Sequence, residues 1–198
     1  SDDILIISRS SDLFIIKKAQ ICINKLIKKR VPIPFFMTPE FITSSLDSYP
    51  LEFLNMQNDY INLYQTDETD YIKPLRFEKQ WVRLQIEREL KSKYLLISSN
   101  YMAVNSSKSA LKQLVSGSIL SLKPILKGIL YLDDLEISPY YEDLIERIEK
   151  TGKIELKTLR RAFEIRYDKV NFKQLNTDQF FDNYLQEIVM LYKSIENR

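Results

Sequence analysis

Pro50-Leu51-Glu52-Phe53-Leu54-Asn55-Met56 reads as a buried strand carrying one acid, since a short apolar run between turn signals suits a strand covered on both faces. After it, Asn58-Asp59 is expected to turn the chain into a further strand, Tyr60 to Tyr64. The polar run Gln65 to Asp70, with Pro74 beyond it, reads as a linker and divides the chain into residues 1–73 and 74–198. Before it, Thr38-Pro39-Glu40 supplies an N-cap and a first-turn proline for a short helix to about Ser48. Val31-Pro32-Ile33-Pro34-Phe35-Phe36-Met37 is too rich in proline for a central helix and reads as an extended, edge-like segment. Leu13 to Lys29 has helical spacing and ends in Lys28-Lys29-Arg30, which suits a helix C-terminus. Ile4 to Ile7 reads as another buried strand.

Everything after Phe77 is expected to be helical. One helix spans roughly Glu78 to Met102, and a second Ser107 to Leu130, kinked at Pro124. Ser138-Pro139 opens a third, which stops at Gly152. A fourth covers Leu156 to Ile165, and Asn176-Thr177-Asp178 caps a last helix to about Glu196. Short connections predict antiparallel neighbours in a bundle. The expected fold is therefore α+β: a partial mixed sheet with helices, then an antiparallel helical bundle.

Composition narrows the chemistry. The chain has 198 residues, 44% of them hydrophobic, and a net charge of +2 from 29 basic and 27 acidic side chains. That near-balance argues against a nucleic-acid coat protein. Histidine is absent, which removes Ser-His-Asp and Cys-His schemes and His-based zinc sites. Glycine occurs only at 117, 128 and 152, so no GxGxxG or P-loop can form. Cys22 is the sole cysteine, which favours a cytoplasmic location. No apolar run approaches the ~20 residues of a membrane helix, so no membrane partner is expected.

Carboxylates remain as the candidate chemistry. Asp2-Asp3 lead the Ile4–Ile7 strand, and Glu52 sits within Pro50–Met56. Two acids at the mouth of one strand and a third on its neighbour would form an oxygen cage for Mg²⁺. Asp2-Asp3 also fit plain solvated sequence, and Glu52 also fits a structural ion pair. On the long helix, Val82, Ile86, Leu90 and Ile97 share a face with Lys93, and Glu89 and Lys93 are placed for an i,i+4 pair. Arg83, Glu87 and Lys91 form a second i,i+4 series. Two readings stand for Arg83 and Lys93: members of a salt-bridged helix, or contacts to a nucleotide phosphate. Lys17, Lys18, Lys25, Lys28, Lys29 and Arg30 make one helix basic, which reads first as a solvated face.

Asp3-Ile4-Leu5-Ile6-Ile7, Pro50-Leu51-Glu52-Phe53-Leu54, Leu63-Tyr64 and the helix with Arg83, Gln85, Glu87, Glu89, Leu90 and Lys93 resemble the small prokaryotic nucleotidyltransferase-domain proteins. That family joins a polymerase-beta-like minimal nucleotidyltransferase domain to a C-terminal helical domain. The resemblance implies Mg²⁺-dependent transfer of a nucleotidyl group from a nucleoside triphosphate to an unidentified acceptor. It implies Asp3 and Glu52 as catalytic acids, Asp2, Asp3 and Glu52 as metal ligands, and Arg83 and Lys93 as nucleotide contacts. Nucleic acid is not an expected partner, and self-association stays open. The chain departs from the pattern in two ways. Ser1 stands where the first acid of the Asp-x-Asp pair belongs, and the preceding Gly-Ser strand is missing. An N-terminally incomplete enzyme and an inactive nucleotide-binding or protein-interaction module of the same family both follow from these departures.

Overall fold

The computed structural model describes residues 4–66, 68–104 and 107–196. It is about 66% helical, and the described residues hold two short strands. This overturns the expected nucleotidyltransferase-like mixed sheet. Strand β1 (Leu5–Ile7), helix α1 (Leu13–Lys28) and strand β2 (Phe35–Met37) form a βαβ unit. The strands are parallel, with Leu5 opposite Phe35, Ile6 opposite Phe36 and Ile7 opposite Met37. Among the described residues eight α-helices follow, α2 (Pro39–Ser44), α3 (Pro50–Asp59), α4 (Lys79–Ala103), α5 (Lys108–Leu120), α6 (Lys123–Leu132), α7 (Tyr141–Gly152), α8 (Lys157–Arg166) and α9 (Thr177–Glu196), with a 3-10 turn at Phe172–Gln174 before the last.

The correction turns on residues 50–59. This segment is a helix, not a strand, and its sequence contains no β-branched residue. Pro50 takes the first helical position, where its missing N–H costs nothing, and Glu52 meets the positive end of the helix dipole. Leu51 and Leu54, three residues apart, both face the core. A short apolar run is compatible with either period, and here burial against neighbouring helices selects 3.6. Residues 60–64 form no strand, and Ile61, Leu63 and Tyr64 are exposed. Beyond them the chain straps back onto the core through buried Ile72, Leu75 and Phe77. Gln57 Nε2 fixes that strap by donating to the carbonyls of Ile72, Lys73 and Leu75 at 3.1, 2.9 and 3.0 Å.

Helix α4 is the central post of the bundle. It packs against α3, α5, α6 and α9, with Val82, Ile86, Leu90 and Ile97 buried. Helix α8 bridges α5 and α9, and α7 covers α6. Gly128 on α6 permits a close approach of α3 and α4 side chains. A Cβ there would lie 2.4 Å from Leu51 Cδ2 and 3.0 Å from Ile86 Cδ1. The expected single helix from 107 to 130 is two helices, with Pro124 in the first turn of α6 instead of at a kink. The stretch Lys108–Leu132 is apolar enough for a membrane span by composition, yet half of its apolar window is buried inside the protein.

Helix ends are closed in two ways. Thr38 Oγ1 accepts from Phe41 N at 3.1 Å, and Asn176 Oδ1 from Gln179 N at 3.3 Å, as their residue types predict. Helix α8 has no side-chain cap of its own. Instead Glu187, buried on α9, accepts from Thr158 N and Leu159 N at 2.7 Å each. At the C-termini of α1, α6, α7 and α8, the left-handed conformation falls to Arg30, Asp134, Lys153 and Asp168, with φ of 62°, 56°, 49° and 55°. Helix α7 ends at Gly152, as expected, and the left-handed residue is the one after it, Lys153.

Candidate functional site

Of the acids read from the sequence, Glu52 lies on a helix and not on a strand beside β1. Asp2 and Asp3 lie outside the described residues. The strand paired with β1 is β2, and the segment from Leu13 to Pro39 that contains it carries no Asp or Glu. Glu52 stands exposed in the first turn of α3, not within a strand. Both of its carboxylate oxygens accept from Gln85 Nε2, at 3.0 and 2.8 Å. Gln85 Oε1 in turn accepts from Leu51 N at 2.9 Å. Buried Gln85 therefore clamps the N-terminus of α3 onto α4, satisfying one of the free N–H groups of that helix end. Among the described residues, no group of three or more His, Cys, Asp or Glu side chains is placed to hold a metal.

Arg83 and Lys93 have separate partners. Arg83 Nη1 lies 3.3 Å from Glu87 Oε2, and Lys91 Nζ lies 2.5 Å from Glu87 Oε1 and 3.1 Å from Glu196 Oε1. This is the i,i+4 series expected from the sequence, extended to the end of α9. The hydrogen bond from Lys91 holds the Glu87 carboxyl below its ordinary range. Lys93 Nζ donates to Ser121 Oγ at 2.7 Å, beyond the end of α5. Burial pushes its ammonium down, and Glu89 opposes that shift. An open cleft beside the Glu87 ladder is lined by Asp47, Tyr49, Trp81, Glu87, Arg88 and Lys91. The two acids and two cations there cancel, so the cleft presents no net charge to an anion.

Sequence reading missed a buried lysine. Lys127 of α6 is 0% exposed. Its Nζ donates to Asn55 Oδ1 at 3.0 Å and pairs with Asp59, both on α3. Burial pushes its ammonium down, while Asp59 pulls it up. A lysine within Ile125-Leu126-Lys127-Gly128-Ile129-Leu130 is the only sequence signal of this arrangement. The pair ties α6 to α3 and is a structural element of the core.

The remaining unusual surface is α1. None of its residues is buried. Ile15, Ala19 and Ile23 are partly covered and share one stripe of the helix, whereas Leu13, Phe14, Ile16, Ile21 and Ile27 are exposed. Among the described residues, Lys17, Lys18, Lys25, Lys28, Lys29 and Arg30 have no ion-pair partner, although Lys18 Nζ sits 4.3 Å from the Phe14 ring centre. Among the described residues the sheet has two parallel strands, and most of α1 is uncovered, which is an uncommon state for a helix beside a parallel sheet.

Set against known proteins, the chain matches no protein-family model, no curated protein and no solved structure.

Proposed function

We propose that the chain is a non-catalytic interaction module. In this reading the helical bundle is a rigid support, and α1 is its contact surface for an anionic partner. The observation that carries the proposal is the joint exposure of cations and large apolar side chains along α1, without an acid from Leu13 to Pro39. Contiguous exposed apolar surface marks interaction sites, and an unopposed basic face selects a partner of opposite charge. Glu52 supports this reading, because both of its oxygens are already engaged in fixing α3.

Two assays on the same preparation test it. The chain should be retained on an immobilised polyanion such as heparin and elute earlier after Lys17→Gln, Lys18→Gln and Lys25→Gln are combined. A thermal scan with each nucleoside triphosphate and Mg²⁺ should show no shift. A Mg²⁺-dependent rise that disappears in Glu52→Ala would favour nucleotidyl transfer instead. Unchanged retention of the triple variant would also overturn the proposal.

A further inference from the structure

Resting on the interaction reading, we infer that the anionic partner of α1 is a lipid bilayer surface, which the helix meets lying flat. Position around the helix carries the inference. At about 100° per residue, Ile15, Ala19 and Ile23 define the partly covered stripe of the helix. Ile16 and Ile27 lie beside that stripe, where any neighbour in the same layer would cover them, and Leu13 lies further round, about 120° from its centre. Phe14 and Ile21 lie on the far side, where no such neighbour reaches. They are 63% and 68% exposed and two turns apart, so they form an outward ridge. Lys17 and Lys28 flank the ridge on one side, and Lys18 and Lys25 on the other.

Exposed Phe14 and Ile21 beside lysines supply both kinds of contact that a helix at a membrane interface makes, apolar insertion and attraction to anionic headgroups. The apolar side chains enter the headgroup boundary, and the lysine stems run along it while the ammonium groups reach lipid phosphates. Other anionic partners fit less well. A duplex nucleic acid would set its phosphates against Phe14 and Ile21, which offer them nothing. A peptide partner docks in a groove, whereas this ridge is convex. A second copy would bring two acid-free basic helices together.

Co-sedimentation with vesicles tests the inference. The probes are phosphatidylcholine alone and phosphatidylcholine mixed with phosphatidylglycerol. Binding to the anionic vesicles is expected to exceed binding to the neutral ones by about ten-fold and to fall with salt. Combining Phe14→Ser with Ile21→Ser should lower anionic-vesicle binding by about ten-fold, with the melting midpoint unchanged. Combining Lys17→Gln with Lys25→Gln should lower it about as much. Wild-type binding by the Phe14/Ile21 variant, or equal binding to both vesicle types, would overturn the inference. Retention on the polyanion without vesicle binding would overturn the bilayer alone and leave the interaction reading standing. Loss of both would remove both.

Discussion

Phe53 and Phe14 are both phenylalanines on helices, yet one is 1% exposed and the other 63%. Lys127 and Lys18 differ in the same way. The first is enclosed with Asp59 and Asn55, and the second lies over an exposed ring. In the bundle, each of these side chains is accounted for by contacts within the chain. On α1 the same residue types face outward, and only Ile15, Ala19 and Ile23 are partly covered, whereas Leu5, Ile7 and Met37 of the strands pack against the core. The bundle is thus organised by its own stability, whereas contacts within the chain account for little of α1.

The sharpest way to break that contrast is a pair of ring deletions. Phe53→Ala is expected to cost about 4 kcal/mol, read as a lower denaturant midpoint. Phe14→Ala should change stability by less than about 0.5 kcal/mol. Similar losses at the two sites would mean that α1 is a buried element after all. Next comes Asp59→Ala, which leaves Lys127 buried without its carboxylate. Removing one partner of a buried pair costs on the order of 3 kcal/mol, and the partial exposure of Asp59 brings this to roughly 2. Lys127→Met should be near neutral by the same measurement, because it removes the buried charge while keeping the stem. Gln85→Leu strips the acceptor from Leu51 N–H and should cost roughly 1–2 kcal/mol. An unchanged midpoint would show that water replaces the glutamine.

The smallest effect is one of pH. Burial holds the Lys127 ammonium below the ordinary 10.5, so the folded chain releases that proton before the unfolded chain does. Between those two values the unfolded state binds more protons, and stability from this group rises with pH. In alkaline unfolding curves the wild type should therefore gain on Lys127→Met as pH climbs toward 10.5. A constant difference between the two would show that Asp59 offsets the cost of burial.

Much of the bundle was legible because its signals are local. The face of α4 follows from its apolar period, and Thr38 and Asn176 act where capping residues should. The Arg83–Glu87–Lys91 series was legible for the same reason, since its members are one turn apart. What was not legible depends on contacts distant in sequence. Gln85 reaches Glu52 across 33 residues, and Lys127 reaches Asp59 across 68. Glu187 closes α8 from 29 and 28 residues away. Residues 50–59 were misread because a short apolar run fits two periods, and only its packing partners decide between them. Of the candidate surface, the basic face of α1 was visible in the sequence. The significance of Phe14 and Ile21 was not, because it depends on knowing which stripe of the helix is covered.

The left-handed helix ends have a consequence for the chain before it folds. Arg30, Asp134, Lys153 and Asp168 each hold a backbone conformation that costs a side-chain-bearing residue about 1 kcal/mol. Glycine at those positions would remove that strain but would widen the range of backbone states open to the unfolded chain. With glycine at only three of its 198 positions, this chain starts from a stiff unfolded ensemble. Strain in the native helix ends and lost freedom in the denatured chain therefore act against each other. Part of the stability of this bundle is set by conformations the unfolded polypeptide cannot visit.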